Sequence, residues 1–294
     1  MLYCHKHKRG NKDIIMIKEY DKDTLKKLQQ TELQIYLDIK EVCEKNNIGC
    51  SIAYGSLIGC IRHKGFIPWD DDMDVIMFRD DYEKFEKIFD SQLGEKYLLM
   101  TPIRNKKYTG NVIKVMKKGT KFINKHNKNQ KCEKGIFIDI FVYDKVPKDE
   151  KKYNTQKRKA RILAMLIFLC GCGKPEINNK GVIGILYKVV CCVIHCLLKL
   201  IPGNARRLYK KYTKVCCMSN DEDTEVYTLY QDAFPDKYIC KRSDFEPYSY
   251  AEFDGEMVGI PRNYHQILMN NYGDYMKLPP ENERVNHAAD VLEF

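Results

Sequence analysis

Four carboxylates fall within five positions, at Asp70, Asp71, Asp72 and Asp74, directly before an apolar run. On a strand, Asp72 and Asp74 share one face, about 7 Å apart along the backbone. Like charges held that close raise each other's proton affinity unless a cation lies between them. Hard oxygen donors on a rigid element suit magnesium or manganese, with substrate phosphates completing the shell. A further carboxylate, Asp139, is the only charge in the run Ile136 to Tyr143. Burying it is costly unless it is paired or metal-bound. If the two strands are neighbours, three carboxylates converge. The competing readings are a solvated acidic loop for Asp72 and Asp74, and a solvent-facing edge strand for Asp139. A calcium loop is excluded, because Val75 stands where the sharp turn needs Gly and Asp81 where the loop needs Glu.

Other residues suit an anionic or cationic ligand beside these carboxylates. Gly55-Ser56 opens a short helix, where unhindered N–H groups and a hydroxyl can meet a phosphate. Arg62, His63 and Lys64 read either as an anion clamp or as a solvated basic turn. Trp69, the single tryptophan, adjoins Asp70. Its ring either stacks on a base or quaternary ammonium group, or plugs the loop apolarly. Lys114 lies in an apolar strand candidate and either reaches a phosphate or snorkels to the surface.

Positioning these groups requires alternating elements. Apolar periodicity predicts a helix over 24–46, a strand over 50–54 and a brief helix to Arg62. A second strand (73–78) and a helix from Asp80 or Asp81 toward Phe89 follow. Strands at 97–100 and 112–116 give weaker signals than the one at 136–143. The alternation predicts an α/β (mixed α+β) layer over 24–147. A lysine-rich shift then leads into a helical module over 148–222, and 223–294 completes the core. The 294 residues carry an excess of ten positive charges, which favours anionic partners without choosing among them. Thirteen cysteines, an odd number with adjacent pairs and no Cys-x-x-Cys, read as reduced thiols. The N-terminal Cys4, His5 and His7 read as a frayed end and not a metal grip. The basic, polar start is unlike a signal peptide, so a cytoplasmic location is expected.

One stretch complicates solubility. Val182 to Ile201 is almost wholly apolar, interrupted by Lys188, His195 and Lys199 on one narrow helical face. It reads as a buried core helix with a thin solvent stripe, or as a helix in an anionic membrane interface. A membrane span is disfavoured by its lysines.

The order strand, Gly-Ser, helix, strand with Asp-x-Asp, later strand with Asp resembles the nucleotidyltransferase superfold. More narrowly, GSLIGCIRHKGFIPWDDDMDVIMFRDDYEKF is similar to the signature of the LicD family of phosphotransferases. The likeness continues in GIFIDIFVYDKVP and in FDGEMVGIPRNYHQILMNNYGDYMKLPP. The family usually has Thr at Ser56 and Ala at Cys60. The resemblance implies a nucleotidyltransferase-type core in which Asp72, Asp74 and Asp139 are catalytic and hold two metal ions. It implies transfer of a phosphoryl-alcohol group, such as phosphocholine, from a CDP-linked donor to a cell-surface glycan or its lipid-linked precursor, at the inner face of the membrane. Gly55, Ser56, Arg62, His63, Lys64, Trp69, Asp70 and Lys114 would then contact substrate. Tyr272 to Tyr275 and Arg284 to His287 match the family's end, near the acceptor. A metal-dependent glycosyltransferase is the rival enzyme, and a non-catalytic anion- or nucleic-acid-binding protein the rival of another class. Nucleic acid is not expected, since no aromatics interleave the basic residues.

Overall fold

The computed structural model describes residues 20–124, 127, 128, 130–175, 181–284, 286 and 288–294. Cys4, His5, His7 and His287 lie outside the described residues. Helix α1 (Lys22–Lys45) starts at Asp21, whose side chain accepts the Thr24 N–H. It buries Leu28, Ile35, Tyr36 and Ile39 in the main core. There follow β1 (Ser51–Ile52), α2 (Tyr54–His63), β2 (Asp74–Phe78) and α3 (Arg79–Gln92). Next come β3 (Tyr97–Met100), β4 (Ile113–Lys117), β5 (Lys121–Ile123) and β6 (Phe137–Lys145). Three helices, α4 (Glu150–Gly171), α5 (Gly181–Lys199) and α6 (Asn204–Cys216), form the helical module. The remainder holds β7 (Val226–Thr228), β8 (Cys240–Lys241), β9 (Ser249–Phe253), β10 (Glu256–Ile260), α7 (Tyr264–Tyr272) and β11 (Val291–Glu293).

The central sheet runs β1-β2-β6-β4-β3, with β7 paired to the end of β6 and β8 to β7. The β2–β6 pair is parallel, whereas β1, β4 and β7 meet their neighbours antiparallel. Side chains alternate between two faces. Val75 and Met77 of β2, and Ile138, Ile140 and Val142 of β6, enter the main core with α1 and α3. Ile76, Phe78, Phe141 and Tyr143 enter a second cluster with Leu229 and Phe245 on the other face. Asp74 and Asp139 belong by alternation to this second face. The fold is the mixed α/β arrangement that the sequence predicted.

Local boundaries differ from the sequence reading. The strand expected over 50–54 shrinks to Ser51–Ile52, because Tyr54 already turns into α2. Strand β2 begins at Asp74, so Asp72 lies in the lead-in and not on the strand.

The larger correction concerns α5. Its only buried residue is Gly184, so it is not a core helix. Val182, Ile185, Leu186, Val189, Val193 and Leu197 are all more than half exposed. Of the solvent stripe expected of Lys188, His195 and Lys199, the two lysines are exposed and only His195 departs. His195 is half-buried, with Nδ1 2.5 Å from the Leu169 carbonyl of α4. His195 turns toward α4, while both lysines and the apolar arc face outward.

A buried ion pair helps to fasten α3 to the sheet. Arg79 meets Asp144 of β6 through two N–H···O bonds of 2.8 Å, and Asn220, just after α6, donates to the same carboxylate. Removing one partner of such a pair strands the other charge. Asp144→Ala is expected to lower stability by about 3–5 kcal/mol in urea-induced unfolding.

Candidate active site

The site starts from strand register. In the parallel pair β2–β6, Asp74 stands opposite Asp139. In the antiparallel pair β6–β4, Asp139 stands opposite Lys114. One row therefore crosses three strands as Asp74, Asp139, Lys114, all on the same face. Lys114 Nζ lies 2.5 Å from Asp139 Oδ1 and 3.4 Å above the Phe137 ring centroid. Both partners are largely removed from water. The lone charge that the sequence placed in an apolar strand thus has an ion-pair partner.

Asp74 is held through its backbone. Its N–H donates to Ser56 Oγ (2.9 Å), and its carbonyl accepts the Ala53 N–H (3.0 Å). Ser56 is buried in the first turn of α2, so its hydroxyl fixes the acidic strand. Gly55 beside it is required by close approach: a Cβ there would lie 3.0 Å from Asp70 Oδ2. The Asp70 carbonyl accepts from Gln29 Nε2 of α1. Tyr20 donates to Asp71 at 3.1 Å and accepts the Ala289 N–H. The acidic loop is therefore clamped between α1, α2 and the C-terminal segment.

Electrostatics separate these carboxyls. Burial, then the charges of Asp72, Asp139 and Asp70, push Asp74 well above the usual carboxylate range. Glu32 of α1 behaves likewise. It is 2% exposed, its Oε2 has no hydrogen-bond partner, and burial followed by Asp72, Asp71, Asp70 and Asp74 raises it. Sequence reasoning missed Glu32. The available signal was an acid on the apolar stripe of α1, four residues after Leu28 and four before Tyr36.

The basic turn has a different placement. Arg62 Nε donates to His63 Nε2 (2.9 Å), and Nη1 to the carbonyls of Tyr275 (2.7 Å) and Lys277 (3.4 Å). Burial and Arg284 pull Arg62 below its ordinary value, and burial and Arg62 do the same to His63. Lys64 ends α2 in the left-handed region (φ 59°), its side chain exposed and its carbonyl accepting the Asp254 N–H. Trp69 packs on the main core and carries the Arg284 guanidinium 4.8 Å from its ring centroid. Arg62, which also bonds His63, and Trp69 thus anchor the C-terminal segment.

An aromatic wall completes the surroundings. Tyr54 has φ 47°, a conformation that side chains rarely adopt and that clusters at functional sites. Its ring meets Phe141 (5.0 Å) and Tyr238 (5.4 Å) edge-on. Burial first, then neighbouring groups that include Asp74, pushes the Tyr238 and Tyr272 hydroxyls up. Lys237 Nζ lies over both rings, 5.9 and 5.2 Å from their centroids.

Among the described residues, no three His, Cys, Asp or Glu side chains are drawn together as a ready-made metal site. The donor chemistry nonetheless fits a hard divalent cation. Asp74 and Asp139 are adjacent oxygen donors on one face, Asp72 acts strongly on Asp74, and the mutual repulsion is what a cation relieves.

Comparison with known proteins adds an independent line. A family model described as LicD/FKTN/FKRP, nucleotidyltransferase domain, matches residues 47–164, a span that includes the whole row. The chain is 32% identical over 268 residues to the lipopolysaccharide cholinephosphotransferase LicD of Haemophilus influenzae, covering 90% of this chain and 96% of that protein. Uncharacterised proteins of Rickettsia typhi and Rickettsia prowazekii share 41% and 40% identity over 63 residues, 21% of this chain.

Glu32 gives a test of the site's electrostatics. Its folded-state proton affinity is raised, so the folded protein binds more protons than the unfolded chain above about pH 4.5. Stability attributable to Glu32 is therefore present below that pH and lost as pH rises. In metal-free buffer, Glu32→Gln is expected to match the parent near pH 4 and exceed it at pH 8. The gap should grow by up to about 1.4 kcal/mol per pH unit. Urea unfolding across pH reads this directly.

Proposed function

This chain belongs to the LicD family and is an enzyme of its phosphotransferase type, and on that premise we propose that it transfers phosphocholine from a CDP-linked donor to lipopolysaccharide or its lipid-linked precursor. The single observation that carries the reading is the Asp74–Asp139–Lys114 row. It combines two adjacent oxygen donors with one fixed cation, as a site for a nucleoside diphosphate requires.

Asp72, Asp74 and Asp139 would hold divalent cations, magnesium or manganese. When bound, these supply Lewis-acid stabilisation of charge on the donor's diphosphate. The chain's own residues do the positioning. Ser56 and Ala53 hold Asp74 at both of its backbone polar groups, so its carboxylate presents to one face. Lys114 holds Asp139 by Oδ1 and leaves Oδ2 as an oxygen donor toward the site. The acceptor oxygen forms its bond to the phosphorus that carries the alcohol, and the bond from that phosphorus to the CMP oxygen breaks. The hydroxyl proton passes to water or to a phosphate oxygen of the donor, and no covalent enzyme intermediate is needed. The wall of Tyr54, Tyr238 and Tyr272 supports choline as the alcohol. It already accepts the Lys237 ammonium, and tyrosine faces attract quaternary ammonium groups.

The reading is tested by incubating the protein with CDP-choline, lipopolysaccharide and magnesium, and assaying released nucleotide. CMP is the expected product, and chelation of divalent ions is expected to stop its release. Release of a nucleoside diphosphate from a nucleotide sugar would indicate a glycosyltransferase instead. Asp74→Asn is expected to lower kcat by about a hundredfold or more while leaving the circular dichroism spectrum unchanged.

A further inference from the structure

The helical module concentrates the charge of the chain. Between Lys151 and Asn220 there are fifteen Lys and Arg and a single acidic residue, Glu176. The module therefore holds more than the whole positive excess, and the rest of the chain carries slightly more acid than base. On the same module, α5 presents an apolar arc outward. Val182, Ile185, Leu186, Val189, Val193, Leu197 and Leu200 project within a narrow range of helical angle, all more than half exposed. One face of α4 continues the pattern, with Ile162, Met165 and Phe168 exposed beyond Arg158 and Arg161. Lys188 and Lys199 lie on the opposite edge of α5, and α6 adds exposed Arg206, Arg207, Lys210, Lys211 and Lys214.

Exposed apolar surface of this extent is not left in water without a partner. Its basic surroundings identify the partner by charge. We propose that α5 lies in the surface of an anionic bilayer, its arc in the acyl boundary and the surrounding Lys and Arg among the headgroup phosphates. Spanning does not fit, because α5 packs His195 against α4 and the first half of α4 is strongly charged. A second copy of the chain fits less well, since juxtaposing two such modules would bring together like charges. The docking rests on and deepens the proposed function, because it would hold the enzyme on the same membrane as a lipid-linked acceptor. It is nonetheless read out without turnover.

The test is sedimentation of the full chain with vesicles of phosphatidylcholine alone or with about one third phosphatidylglycerol. Pelleting with the anionic vesicles, reversed by high salt, is expected. Val189→Glu combined with Val193→Glu should abolish it, with CMP release from a soluble acceptor unchanged. Lys188→Glu combined with Lys199→Glu, which leaves the arc intact, should weaken it at least about tenfold. The proposal is overturned if the parent stays in the supernatant with both vesicle types. It is equally overturned if light scattering shows a dimer that the Val189→Glu/Val193→Glu variant splits, since a second copy would then cover the arc. Loss of CMP release with vesicle binding intact would count against the proposed chemistry and leave the docking untouched.

Discussion

The structure depends on the register between β2 and β6. These two strands run parallel, and that pairing sets Asp74 against Asp139. Strand β4, antiparallel on the other side, then delivers Lys114 to the same carboxylate. A buried acid in an apolar strand is destabilising on its own, and the row converts it into a paired group with one oxygen oriented by lysine. Everything else near the site maintains this alignment. Ser56 holds the start of β2, Gly55 gives Asp70 room, and Tyr20 and Gln29 tie the loop to its neighbours.

The two faces of the sheet divide the work. The face with Ile138 and Ile140 is apolar as far as Asp144, which pairs with Arg79 of α3, and it seals against α1 and α3. The opposite face is apolar only in part, where Phe78, Phe141 and Tyr143 pack with Phe245, and it carries the charged row at one end. A carboxyl with raised proton affinity at such a border costs the fold stability at neutral pH. Glu32 and Asp74 share that character, and both are governed first by burial.

Much of this was legible in the sequence because it rests on local pattern. The unbroken apolar run over 136–143 identified Asp139 as an intruder, and the spacing of Asp72 and Asp74 marked the loop. What was not legible required partners distant in the chain. The partner of the Ser56 hydroxyl is a backbone N–H eighteen residues on, and no spacing rule specifies it. Arg62 looked available for an anion, yet its acceptors are carbonyls more than two hundred residues away. For α5, periodicity separates an apolar arc from a polar edge but cannot say which side the rest of the protein covers. Strands β7, β8 and β11, of two or three residues each, gave too few residues for a pattern to emerge.

The register also limits how this protein can change over evolutionary time. Side chains in β6 alternate, so deletion or insertion of a single residue ahead of Asp139 within the strand would exchange its two faces. Isoleucines would then meet the lysine of β4, and the acid would enter the seal against α1. Substitutions along β6 can be absorbed one by one, but a change in its length cannot. Alterations of length are expected to accumulate instead in the connections around the helical module, where they leave the phase of the strand intact.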